Sequence, residues 1–265
     1  MPETIEVQQT AAIGSHSTQV AVQYVGIPAD QVAKQMVDIF LENFPKLQKI
    51  AKETAEQRVT ELCSGIMNKL EERHIINFQP FAEPDVQYVL LEAQKNYARF
   101  GEIESMKVLT ELVTHRIQSN DKGHFKRIMD SAILVASELS AKQLDCLSIL
   151  FMLTRVKFSS VKTVEDLAAI LKRIDKAFNL INIDYTKEIE YLSYKGCLQL
   201  CLPDISEALA TGHKLSIDDV KKILPKEAEK FSTDYGITEI GIALAIANAE
   251  QKIHNGFDPH IWIAD

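Results

Sequence analysis

Residues 18–26, Thr-Gln-Val-Ala-Val-Gln-Tyr-Val-Gly, constrain this chain more than any other stretch, because they alternate while nearly everything after them follows a helical period. Val20, Val22 and Tyr24 share one face of an extended strand, and Gln19, Ala21, Gln23 and Val25 share the other. A solitary strand leaves half of its backbone donors and acceptors unpaired, and the body offers no second convincing strand. It must therefore pair with some other segment of the chain or with another copy of it. A shorter alternating run, residues 4–7, precedes it across the turn-forming Ile13-Gly14-Ser15-His16-Ser17. Residues 1–27 thus read as a β-forming assembly leader. In it Val20, Val22 and Tyr24 are expected to pack, and Gln19 and Gln23 to form ladders or polar contacts between copies.

Gly26-Ile27-Pro28 marks the change of period, with Pro28 placed as a first helical residue. Val32, Met36, Ile39, Phe40 and Phe44 then recur at helical spacing, and Pro45 is expected to kink or restart the helix. A further stripe, Leu47, Ile50, Val59, Leu62, Ile66 and Leu70, carries it to about His74, so residues 28–76 form a long helical segment suited to partners. Pro80 and Pro84 open a helical core over residues 77–160. Helices are expected from Pro84 or Asp85 to Arg99, through Ile103 to Ile117, and through Phe125 to Leu139. Another follows from an N-cap at Ser140 over residues 141–154. That last helix is apolar nearly all round and belongs at the centre of the core.

Residues 161–265 form a C-terminal helical part. Its expected helices span residues 165–179, residues 186–212 with an interruption at Pro203, residues 217–224 after Ser216, a short piece opened by Pro225, and residues 243–253. Trp262, the only tryptophan, sits between two isoleucines, which argues for a docked C-terminus.

At 265 residues, with 46% hydrophobic and 25% charged residues, the chain can bury a sizeable core without staples. Its apolar runs are too short for a membrane span, and its first residues show no secretory signal, so a cytoplasmic location is expected. Four cysteines in mostly apolar settings suit buried reduced thiols. A net charge of -8 disfavours a broad nucleic-acid footprint.

Candidate chemistry is sparse. Cys197 and Cys201, four apart, would share one helix face with His213 downstream, and this spacing reads as packed thiols rather than a zinc site. His254 and His260 flank a turn and read as exposed histidines. The chain lacks a Gly-x-Ser-x-Gly elbow, a phosphate-cradling Gly-Lys-Ser/Thr loop and a His-Glu-x-x-His motif. No catalytic, metal or cofactor residue is assigned, and the residues lean against an enzyme without deciding the matter. Ile237-Thr238-Glu239-Ile240-Gly241 resembles the segment closing winged-helix domains, whose usual partners are nucleic acids or proteins. Lys221 and Lys222 are then the candidate nucleic-acid contacts, although Asp218 and Asp219 beside them balance the charge and favour a packing role.

Four features together resemble a family of helical bacterial proteins to which no activity is assigned. They are the polar leader before Gly26, Phe40-Leu41-Glu42-Asn43-Phe44-Pro45-Lys46-Leu47, residues 132–144 and the tail from Thr238 to Trp262. The resemblance implies a helical body. The leader is also similar to β-forming assembly motifs attached to bacterial immune and signalling proteins, which implies a role in antiviral defence. The expected fold is mostly α, a multi-helix body with a short N-terminal β segment and a winged-helix-like C-terminal part. The expected function is a self-assembling interaction or scaffold protein, a homo-oligomer open to a protein partner. A winged-helix-type nucleic-acid-binding regulator is the alternative.

Overall fold

The structure, a computed structural model, describes residues 29–75, 77–119, 123–179, 185–200, 204–225, 235–253 and 256–263. The leader residues Gln19, Val20, Val22, Gln23 and Tyr24 lie outside them, as do Pro28, Cys201, His254 and the helix expected after Pro225. The chain divides into two compact units, residues 1–50 and 51–265. The described part of the first is helical throughout and begins α1, Ala29–Glu72. α1 runs through Pro45 as one helix, so the expected restart there does not occur. Proline removes one amide donor, but Leu41, whose carbonyl loses that donor, is exposed, so water can replace it.

Within the second unit, Leu62, Ile66 and Leu70 of α1 are buried at four-residue spacing in a continuous core. The helix closes where His74 takes a left-handed φ of 54°, which lets the Ile75 amide reach back to the Leu70 carbonyl at 2.9 Å. After a 3-10 turn, Gln79–Ala82, come α2 (Pro84–Phe100), α3 (Ile103–Gln118), α4 (His124–Ala136), α5 (Ala141–Thr154) and α6 (Val164–Phe178). Gly101, φ 69°, ends α2, and Arg58 donates to the Ala98 and Arg99 carbonyls at its C-terminus at 2.8 and 3.1 Å. Ser140 caps α5 reciprocally with Gln143, and Thr163 does the same for α6 with Asp166.

Between α6 and the last helix the structure departs from the helical pattern. α7 (Tyr185–Tyr194) ends at Gly196, φ 72°, where the Cys197 amide donates to the Leu192 carbonyl and the Gly196 amide to Ser193. β1 (Leu198–Leu200) follows, then α8 (Ile205–His213), α9 (Ile217–Ile223) and β2 (Tyr235–Ile237). The strands pair antiparallel, Leu198 opposite Ile237 and Leu200 opposite Tyr235. Two expectations are thereby corrected. The body does contain strands, and residues 186–212 are not one interrupted helix, so Cys197 is not on a helical face shared with position 201. The reason is local: a left-handed glycine turns the chain, and a strand from 37 residues onward supplies the ladder that a three-residue segment cannot form alone.

The last helix, α10 (Glu239–Ile253), starts four residues before its expected beginning. Every residue from Gly241 to Ala249 is buried, and it packs on α3, α4 and α5. Alanines at 243, 245, 247 and 249 keep its surface low, so α5 and α10 approach closely enough for Ser148 Oγ to donate to the Ala245 carbonyl at 3.1 Å. The Asn248 amide donates to Ser148 Oγ at 2.9 Å and to Asp145 Oδ1 at 3.0 Å, and Lys252 closes the row on Asp145 at 2.6 Å. Apolar packing sets the distance between these helices, and this polar row sets their register. Trp262 and Phe257 both meet the ring of Phe151 edge-on, at 5.1 and 5.4 Å, which docks the tail as its tryptophan suggested.

Candidate functional site

Two places in the described structure stand out, one in each unit. The first is the helical segment 29–50. Met36 is 68% exposed, and Val37, Ile39, Leu41, Phe44, Leu47 and Ile50 are exposed with it. At 100° per residue these seven positions spread over about 200° of the helix surface, far wider than the seam of a two-stranded coiled coil. Charged residues Asp38, Glu42, Lys46 and Lys49 sit behind this face, and Lys34 lies at its edge.

The second is an open cavity of about 350 Å³ in the 51–265 unit. Its lining includes Arg73, just past the end of α1, His115 and Gln118 from the last turn of α3, Glu250 from the last turn of α10, and Phe257 and Asp258 from the tail. Beside it lies Glu111, fully buried, which accepts from Lys69 at 2.6 Å, from Gln251 at 2.9 Å and from the Arg73 guanidinium. A second Arg73 nitrogen donates to Gln118 Oε1 at 3.3 Å.

Burial, reinforced by Arg73, holds the His115 pKa down to about 4, so its imidazole is neutral at pH 7. Lys69 and His260 push in the same direction, while Asp258 opposes them. Because the folded pKa lies below the ordinary 6.5, the unfolded chain takes up a proton that the folded one refuses. Stability is therefore expected to fall as pH drops from about 6.5 to about 4, by up to about 3 kcal/mol from this residue. Melting temperatures across that window should decline less steeply in His115→Asn.

The residues singled out by sequence are dispersed. Cys197 is fully buried, and burial pushes its thiol up to about 12 and that of Cys146 up as well, which suppresses thiolate chemistry. His213 is buried against Phe158 with its Nδ1 lacking a hydrogen-bond partner, and His260 stacks on Phe125 at 3.7 Å. No metal-holding group of His, Cys, Asp and Glu occurs among the described residues, and no described helix is long and apolar enough to cross a membrane.

Lys221 and Lys222 are exposed on α9, with Lys222 2.8 Å from Asp219. The Thr-x-x-Gly segment is built into the packing. Thr238 Oγ1 donates to the Gly196 carbonyl at 2.8 Å and accepts from the Gly241 amide at 3.2 Å. A Cβ at Gly241 would collide with the Cys197 carbonyl oxygen, so glycine there is what lets α10 lie against β1.

Sequence reading missed the cavity. Arg73, His115 and Glu250 come from three distant helix ends, and only the marked turn around Asp258 and His260 pointed toward it.

No curated protein and no solved structure matches the chain. A family model described only as ":-like" matches residues 26–234, and the chain belongs to that family.

Proposed function

We propose that the protein is a non-enzymatic interaction protein that self-associates through its N-terminal segment. The single observation that carries this reading is the exposed apolar face of residues 36–50. A helix with so wide an apolar arc is stable in water only when neighbours cover it, and an arc of about 200° calls for more than one neighbouring helix. Additional copies of the same segment present the same apolar face and can cover one another. Residues 4–25 then extend the contact by β pairing through Gln19, Val20, Val22, Gln23 and Tyr24. The leader's likeness to assembly motifs of bacterial immune proteins supports a signalling scaffold as the setting.

Mass photometry decides the matter. The full chain should run as a multimer, and a chain starting at Gly26 or carrying Met36→Glu with Leu47→Glu should shift toward the monomer. A full chain that is monomeric at micromolar concentration overturns the reading.

A winged-helix regulator is favoured by one observation, the order α7, β1, α8, α9, β2 with the two strands paired. Against it, α9 begins with Asp218 and Asp219, which repel phosphate where such a helix would approach a duplex. Duplex binding weakened by Lys221→Glu and Lys222→Glu would support this second reading.

A further inference from the structure

Three helices of the 51–265 unit, α1, α3 and α10, bring their C-terminal ends to one cavity. Each such end carries the partial negative charge of its helix dipole, so their convergence favours a cation.

The side chains agree. Arg73 and Lys69 both direct their charge onto the buried Glu111, and Arg73 uses a further nitrogen on Gln118, so the two basic groups are already engaged. Glu250 and Asp258 are not neutralised in this way. Glu250 Oε2 accepts from the Gly256 amide at 2.8 Å and Asp258 Oδ1 from the His260 amide at 3.0 Å. Neither carboxylate has a cationic side-chain partner among the described residues. Lys69, Arg73, Glu111, Glu250 and Asp258 together leave one uncompensated negative charge, and Glu72, 3.6 Å from Lys69, adds to it. His115, neutral at pH 7, adds a ring nitrogen able to accept from an N–H, and Phe257 adds an aromatic surface of the kind that attracts cations.

We propose that this cavity, lined by Arg73, His115, Gln118, Glu250, Phe257 and Asp258, binds a small organic cation carrying a primary ammonium group. Glu250 and Asp258 hold the ammonium, and Phe257 and the stem of Gln118 cover its alkyl part. A bare metal ion is a poorer match, because the described acidic and imidazole side chains form no metal-holding group. An anion is poorer still, since the one guanidinium in the lining is already committed to Glu111. The proposal is independent of self-association, which concerns residues of the other unit.

Isothermal titration of the full chain at pH 7 with n-butylammonium chloride tests it, with n-butanol as the uncharged isostere and inorganic phosphate as the anion. Saturable binding of one n-butylammonium per chain is expected, with none for the other two. A change in emission of Trp262, the only tryptophan, should accompany it, because that ring shares Phe151 with Phe257. Glu250→Gln with Asp258→Asn removes both charged contacts and should weaken binding by more than about tenfold, the effect of losing one of them. Should that pair unfold, Glu250→Gln alone, checked by circular dichroism, gives the same comparison. No saturable binding, equal binding of n-butanol, preference for phosphate, or unchanged affinity in a folded variant would each overturn the proposal.

Discussion

Glu111→Ala is expected to lower stability by about 3–5 kcal/mol, measured as a drop in the urea midpoint at unchanged slope. Glu111 is 0% exposed and stands on α3 between two cations and an amide, Lys69, Arg73 and Gln251. Truncating it does more than remove attraction. Two positive charges that are themselves only about a quarter exposed remain near each other, with only the exposed Glu72, 3.6 Å from Lys69, to offset them. The isosteric Glu111→Gln keeps an acceptor for one of them and should cost less. If both variants melt with the wild type, the ion cluster is incidental to the packing of α1 against α3 and α10.

Phe151→Ala should cost a similar amount, about 3–5 kcal/mol, and it should do so through the tail. Phe151 is fully buried on α5 and receives both Phe257 and Trp262 edge-on. Removing the ring leaves a cavity and strips two aromatic partners of their shared surface, so Trp262 emission should shift to the red below the melting transition. Amide exchange should quicken over residues 256–263 before the rest of the unit. A loss under about 1 kcal/mol would mean that the tail closes over the gap. Phe151→Leu, nearer in volume, separates the two effects: it should retain most of the stability while loosening Trp262.

Much of the helical body was legible because each helix carries its own punctuation. Ser140 marked the start of α5 and Gly101 the end of α2, and both act at short range, through a side chain on a backbone amide and a left-handed φ. The expected centre of the core was also found, since a segment apolar on every side can only be surrounded. Where a boundary depended on distant residues, reading failed. Leu198 continues an apolar pattern compatible with a helix, and only its pairing with Ile237 across the chain makes it a strand. Pro45 would end a buried helix, yet in an exposed one it does not.

By itself the sequence determined a mostly α chain, the caps and stops of its helices, and a C-terminus anchored by Trp262, because propensity, capping and apolar period act over a few residues. Tertiary structure decided that α10 shares the core with α5, that Gly241 must be small, and that Arg73, His115 and Glu250 meet at one cavity. Those outcomes depend on which helix ends come to lie side by side, and that is set by the packing of the whole unit, which no local pattern of residues encodes.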